Sequence, residues 1–299
     1  MKNLKYNYIG SSKIKVSNIG FGMWGLSEWK NSPSEKEAIS LIKRAIKLGI
    51  NFFDTAPSYG NGYGENILSK VNNKKMVIAT KIPANRDKMH DINQAYTKKL
   101  ISSSIENSLK RLGREYIDII QLHNWNPEWK HFESVLKYLN EYKKSNKVKL
   151  IGISLPPIIS IKRGNIPKII KNKLIDCFQI YYNLLEDQNK PIIEAALKNK
   201  KGVFIKSPYM HGLLGPLINN IDSLKKTDIR KVKYSKEQIN KFKMKIKNIL
   251  ENNKLSINEL PEYALKSYLR LGVTSVLIGI RNRETLRKNI DYLDNLSNC

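Results

Sequence analysis

Three side chains able to do acid–base or nucleophilic chemistry each close a short apolar run. Asp54 follows Asn51-Phe52-Phe53, Lys81 follows Val77-Ile78-Ala79-Thr80, and His123 follows Ile119-Ile120-Gln121-Leu122. Any one of them alone reads as an ordinary loop or structural residue. Three in succession, each breaking an apolar run, point to an active site if the runs are parallel strands that share a mouth. Further run ends add Ser154 after Ile151-Gly152-Ile153, Gln179 within Cys177–Ile180, Lys206-Ser207 after Val203-Phe204-Ile205, and Gly279 after Val276-Leu277-Ile278. Gly20-Phe21-Gly22-Met23-Trp24-Gly25 is glycine-rich but is not GxGxxG, so an open dinucleotide-binding sheet is poorly supported. Two cysteines, Cys177 and Cys299, are too few for a disulfide framework or a multi-cysteine zinc site, and no metal is expected.

The elements that must carry these residues alternate. Tyr6–Ile9 and Lys13–Val16 flank Gly10-Ser11-Ser12 and read as a small hairpin. Strands follow at Asn18–Gly22, Asn51–Asp54, Met76–Lys81, Tyr116–His123, Leu150–Ser154, Asp176–Ile180, Gly202–Lys206 and Ser275–Gly279. A helical segment succeeds each. The first is announced by the capping box Ser34-Glu35-Lys36-Glu37 and stopped by Gly49. The others are read at 64–70, Thr97–Leu112 before Gly113, Trp129–Lys144, Ile166–Lys171, Pro191–Lys198, Lys236–Asn252 with Leu260–Leu271, and Arg283–Leu293. A long irregular stretch precedes Lys236. Continuous apolar strands are buried on both faces, as in parallel sheets. Eight strand–helix units in 299 residues predict an α/β fold, a (β/α)8 barrel with a short N-terminal β-hairpin. Nothing linker-like divides the chain, so residues 1–299 read as one barrel domain.

Hydrophobic residues make up 41% of the chain, enough for a sizeable core. No apolar run approaches the ~18 residues of a membrane span, and the first residues lack a signal-peptide core. The expectation is a cytoplasmic protein with reduced thiols, with no membrane and no nucleic-acid partner. The formal charge of +27 would suggest nucleic acid, but the excess is lysine, 43 Lys against 10 Arg. Base and phosphate recognition favours arginine. Residues 225–247 hold ten of these cations and two acids and read as a solvated helix face. The general positive field would favour an anionic ligand such as a dinucleotide or a phosphorylated substrate.

The run Gly49-Ile50-Asn51-Phe52-Phe53-Asp54-Thr55-Ala56-Pro57-Ser58-Tyr59-Gly60, closed by Gly64-Glu65, closely resembles the first signature of the aldo-keto reductase family. The resemblance extends over essentially the whole chain. It implies a (β/α)8 barrel and a catalytic tetrad at Asp54, Tyr59, Lys81 and His123. It implies an NAD(P)-dependent oxidoreductase acting on an aldehyde, ketone or sugar, with NADP(H) preferred as the family's usual cofactor and NAD(H) possible. Cofactor contacts would come from Gly22, Met23, Trp24 and Asp54, from Ser154 and Gln179, from Lys206, Ser207 and Pro208, and from Gly279, Arg281, Thr285 and Asn289. The substrate would meet Trp24, Tyr59, His123, Trp125 and Tyr209, with Trp29 and Trp129 as further candidate walls. The resemblance leaves oligomeric state and reaction direction undefined.

The chemistry explains the residue types. Reduction of a carbonyl creates an alkoxide that needs a proton, and a tyrosine of pKa ~10 is too weak an acid near pH 7 by roughly 4 kcal/mol. A lysine ammonium ~4 Å away supplies about that at an effective dielectric of ~20. Asp54 would keep Lys81 charged, and His123 would orient the carbonyl oxygen. The chain departs from the family pattern in three places, one of them the adenosine segment, where Gly279 and Thr285 stand at positions at which some members place Lys and Arg on the 2′-phosphate, although Arg281 is present. Leu155 follows Ser154 where Asn is common, and Lys206 stands where many members place an aromatic residue. The alternatives are a sugar dehydrogenase working oxidatively, a nucleotide-binding regulatory subunit of the same fold, and a Schiff-base barrel enzyme built on Lys81.

Overall fold

The computed structural model describes residues 4–27, 32–71, 73–157 and 159–294. Strands β1 (Tyr6–Tyr8) and β2 (Lys15–Ser17) pair antiparallel, Tyr6 facing Ser17. Gly10 turns between them at φ +54°, and a Cβ there would stand 2.6 Å from the Lys200 carbonyl oxygen. Only glycine suits both constraints.

Eight parallel strands then close a barrel. They are β3 (Ile19–Gly22), β4 (Phe52–Asp54), β5 (Val77–Ile82), β6 (Ile117–Leu122), β7 (Val148–Ser154), β8 (Cys177–Tyr181), β9 (Gly202–Lys206) and β10 (Ser275–Gly279). Each pairs with its successor, and β10 closes on β3. Inside the barrel Phe52, Ala79, Ile119, Leu150, Phe204 and Leu277 form an apolar layer, and the hairpin's Ile9 and Val16 cover it from below. The barrel floor is therefore largely apolar, with the Ser275 hydroxyl among these side chains.

The helices are α1 (Glu35–Lys47), α2 (Tyr63–Val71), α3 (Ile92–Ala95), α4 (Lys98–Leu112), α5 (Glu133–Lys144), α6 (Ile166–Lys171), α7 (Lys190–Lys198), α8 (Ile229–Lys233), α9 (Lys236–Asn253), α10 (Leu260–Arg270) and α11 (Arg283–Asp291). Ser34 and Glu37 form the expected reciprocal cap on α1, and Gly113 ends α4 at φ +62°. The outer core packs the helices' apolar stripes, such as Leu41, Ile42 and Ala45 of α1, against the outward faces of the strands.

Some boundaries differ from the sequence pattern. α5 begins at Glu133, not Trp129, because His131 takes a left-handed conformation at φ +55° that a helix cannot contain. The irregular stretch after β9 holds two 3-10 turns, Met210–Gly212 and Pro216–Ser223, and the short α8. Among the described residues no helix is long and apolar enough to cross a membrane, and no three His, Cys, Asp or Glu side chains gather as a metal site. Trp29 and Cys299 lie outside the described residues.

Candidate active site

Pairing register sets the site. Gly22 stands opposite Asp54 and Gly279, Lys81 opposite Gln121, and Ser154 opposite Gln179; all but Gln179, in the middle of β8, stand in the last two residues of their strands. Lys81 is fully buried, and its Nζ donates to both carboxylate oxygens of Asp54 at 2.8 Å and to the Thr55 carbonyl at 2.9 Å. The same Nζ lies 3.3 Å from the Tyr59 hydroxyl and over its ring, 4.9 Å from the centroid. Burial works against the Lys81 charge, but Asp54 and then Tyr59 outweigh it and hold the ammonium above its ordinary value.

Asp54 also accepts from Gln179 at 2.8 Å and from Gln121 at 3.3 Å. Oδ1 thus accepts three hydrogen bonds and Oδ2 one, which is how a buried carboxylate stays tolerable. Beneath it, Thr80 Oγ1 and Arg111 Nε both donate to the buried Glu65 at 2.6 Å. That contact ties α2 to β5 one residue before Lys81. Gly64 is required beside it, since a Cβ there would stand 2.4 Å from Thr55 Oγ1.

His123 follows β6, with its ring edge-on to Tyr59 at 6.1 Å between centroids. Burial, then the charges of Lys81, Lys206 and Arg86, push its pKa down to about 2, so the imidazole is neutral and carries a single ring N–H. Asp54, Tyr59 and His123 line one end of a cleft of about 710 Å³, with Lys81 buried behind Asp54 and Tyr59.

The cleft runs from Tyr59 and His123 to Gly279, Arg281 and Thr285, and Gly22, Trp24, Gln179, Ser207, Pro208 and Tyr209 also line it. Ser154 is buried under the wall, donating to Gln179 Oε1 at 3.1 Å. Lys206 Nζ donates to Ser154 Oγ and to the Leu155 carbonyl, each at 2.8 Å. Burial, then the Lys81 charge, lowers its pKa to about 7. Asn289 is buried behind the cleft, where it accepts from the Tyr209 hydroxyl at 2.7 Å. Met23 is fully buried beneath the wall rather than exposed on it.

Trp125 does not reach the cleft. It is buried, its indole N–H donates to Asn165 at 2.8 Å, and it packs edge-on against Trp129 and Phe132. The expectation that Trp125 and Trp129 wall a substrate pocket is thereby corrected. Their N–H groups find partners, Asn165 and the Met89 carbonyl, that draw both rings under the loops after β5 and β6. Residues the sequence pattern did not single out take their place at the mouth: Arg86, Pro157, Tyr181, His211 and Lys233. Gln121 was also unforeseen, although a glutamine inside an otherwise apolar strand is itself a signal.

The cleft's far end suits a long phosphate-bearing ligand. Gly279 has nothing within 4 Å of where a Cβ would stand. α11 starts beside it with Asn282 capping Thr285 N at 2.8 Å, and helix N-termini attract anions. Ser207, Met210 and His211 all hold left-handed backbone, at φ +57°, +45° and +58°. Strain of about 1 kcal/mol or more per such residue concentrates where a loop is shaped for binding.

A closed parallel barrel with a hydrogen-bonded Asp54–Lys81–Tyr59 set and a neutral histidine at one end of a cleft fits a barrel oxidoreductase. The sequence model of the aldo/keto reductase family matches residues 18–298, and the chain belongs to that family. Its members bind nicotinamide cofactors. It is 27% identical to the uncharacterized oxidoreductase YqkF of Bacillus subtilis over 94% of this chain and 89% of that protein. It is 25% identical to the NADH-specific methylglyoxal reductase of Escherichia coli over 97% of this chain and 94% of that protein. The fold matches the holo form of aldo-keto reductase AKR11C1 from Bacillus halodurans at a TM-score of 0.75 and 22% identity, covering 97% of this chain and 91% of that one.

Proposed function

We propose that this chain is an NADP(H)-dependent oxidoreductase that moves a hydride between nicotinamide and the carbonyl of an aldehyde, ketone or sugar, with Tyr59 as the general acid. The observation that carries the reading is the Lys81 Nζ held between Asp54 and the Tyr59 hydroxyl. When bound, the dinucleotide supplies or accepts the hydride. Gly22, Trp24, Gln179, Ser207, Pro208, Gly279, Arg281 and Thr285 line the length of cleft that would hold it.

The chain's own residues handle the proton. Tyr59 gives its phenolic proton to the carbonyl oxygen as the carbonyl carbon is reduced. The phenolate left behind faces Lys81 at 3.3 Å, worth about 4–5 kcal/mol at an effective dielectric of ~20. That matches the roughly 4 kcal/mol separating an ordinary tyrosine from pH 7. Asp54 keeps Lys81 charged despite complete burial. Neutral His123 donates its ring N–H to the carbonyl oxygen and fixes its approach. Solvent returns the proton to Tyr59, and the reverse sequence oxidises an alcohol.

NAD(H) is the second reading for the cofactor, favoured by the name of the E. coli relative, which also specifies a small dicarbonyl substrate. The same reading takes residues 1–299 as one cytoplasmic barrel domain acting on a small molecule. Tyr59→Phe tests the acid. It should lower kcat at least 100-fold while NADPH binding, followed by fluorescence quenching, stays within about threefold. Substantial remaining reductase activity would remove Tyr59 from this role.

A further inference from the structure

The charged lining of the cleft is one-sided. Arg86, Lys206, Lys233 and Arg281 face it, and Asp54 is the single carboxylate among the described lining residues. Asp54 is already paired with Lys81 and accepts from Gln121 and Gln179. Phosphates of a dinucleotide account for Arg281, which follows β10 near the start of α11. They do not account for Arg86. Arg86 follows β5, four strands from β9 in the closed order and so across the mouth from the 207–212 loop.

Arg86 is exposed at the rim and close enough to His123 to depress its pKa. Among the described residues it forms no ion pair, whereas Arg111, Arg114, Arg163 and Arg230 are each paired with a carboxylate, Glu65, Asp118, Glu128 and Asp228. In a chain with 43 lysines and 10 arginines, an arginine beside the reacting end brings a planar fork suited to carboxylate or phosphate oxygens.

Two lysines share the opposite wall. Lys206 rests on two neutral acceptors, Ser154 and the Leu155 carbonyl. Lys233 Nζ lies 3.2 Å from His211 Nε2, and burial followed by the Lys233 and Arg230 charges keeps that imidazole neutral, with a pKa of about 4. Burial opposes both lysine charges by more than the nearby Asp54 and Glu186 offset, and a bound anion would relieve it.

We propose that the mouth selects carbonyl substrates carrying an anionic oxygen group, a carboxylate or a phosphate, a few atoms from the carbonyl, and that Arg86 is the residue that meets it. The proposal rests on the carbonyl-oxidoreductase reading and narrows its substrate class. Lys206 and Lys233 add attraction from the other wall.

The test uses the whole enzyme and matched substrate pairs with each cofactor: D-glyceraldehyde 3-phosphate against D-glyceraldehyde, and succinic semialdehyde against butanal. The anionic member of at least one pair should have a kcat/KM tenfold or more above its neutral partner, mainly through KM. That ratio should shrink as NaCl rises from about 50 to 500 mM, because exposed charges are screened. Arg86→Gln should reduce the ratio about tenfold and Arg86→Lys by less, with thermal melts confirming that both variants fold. The two pairs distinguish phosphate from carboxylate. Equal kcat/KM within both pairs, or a preference that Arg86→Gln leaves intact, overturns the anion proposal and leaves the carbonyl reading standing. No turnover of any carbonyl with either cofactor overturns both.

Discussion

Lys81 has no exposed surface, and every polar neighbour it touches is anionic or an acceptor. A buried pair of this kind is costly to break and cheap to replace whole, because a lone partner is left as an uncompensated charge. Lys81→Met and Asp54→Asn should therefore each destabilise the fold by about 3 kcal/mol, and the double variant by clearly less than the sum. Urea unfolding of the four proteins measures this, and additive losses would mean the pair is not coupled. Both single variants should also lose nearly all turnover. His123 makes a separate prediction. With its pKa pushed down to about 2, it stays neutral throughout the assay range, so His123 itself should contribute no limb near the ordinary histidine value of ~6.5 to the pH profile of kcat/KM. A break there that vanishes in His123→Asn would contradict the buried, neutral imidazole. Asp54, Lys81 and His123 were legible in the sequence because each interrupts an apolar run. Gln121 gave only the signal of a glutamine within such a run, with nothing local to link it to its partner Asp54, 67 residues away. Trp125 misled because its type suits a pocket wall, while its destination was decided by Asn165, 40 residues further on.

Elements with strong local signals stand where the sequence puts them. α1 carries a complete capping box, α4 is bounded by Thr97 and Gly113, and the eight barrel strands are continuous apolar runs. Segments fixed by long-range contacts do not announce themselves. The turn before α5 depends on a left-handed His131, and the 207–212 loop depends on three left-handed residues other than glycine. That loop begins at Lys206, the last residue of β9, where burial and the nearby Lys81 lower the lysine's pKa to about 7. An unfolded lysine titrates near 10.4. Below pH 7 both states are protonated and the fold bears the full desolvation cost. Between about 7 and 10.4 the unfolded chain binds the extra proton, so this residue's contribution makes stability rise with pH. Lys206→Met should accordingly stabilise the unliganded protein by roughly 2–4 kcal/mol below pH 7, with the gain fading towards pH 10. Denaturant melts of both proteins at pH 6, 8 and 10 read this directly. A pH-independent difference would mean that Lys206 is not held with a depressed pKa.

At the scale of the whole molecule, a net charge of +27 draws any dinucleotide toward the protein, NADH and NADPH alike, so overall charge does not choose between them. Choice needs a local group at the adenosine end. Under the proposed NADP(H) reading Arg281 would supply it: its side chain passes Gly25, where a Cβ would stand 3.0 Å from the Arg281 Cγ, and it borders the cleft with Gly279 and Thr285. Its guanidinium lies near that of Arg230, whose own carboxylate partner is Asp228 at 2.6 Å. Partial burial and then Arg230 lower the pKa of Arg281, a repulsion that a phosphate between the two would reverse. A charge-assisted hydrogen bond to a 2′-phosphate is worth roughly 1.5–3 kcal/mol, or about 10- to 150-fold in affinity. Arg281→Ala should therefore weaken NADPH binding by that factor and NADH binding by less than about threefold. The selectivity ratio should survive added salt better than either affinity does, since screening of the general field acts on both cofactors. Fluorescence-quenching titrations of wild type and variant with each cofactor, at low and high NaCl, decide the matter. Equal losses for the two cofactors would assign Arg281 to the shared part of the dinucleotide. A wild type that binds NADH as tightly as NADPH would transfer the cofactor assignment to NAD(H).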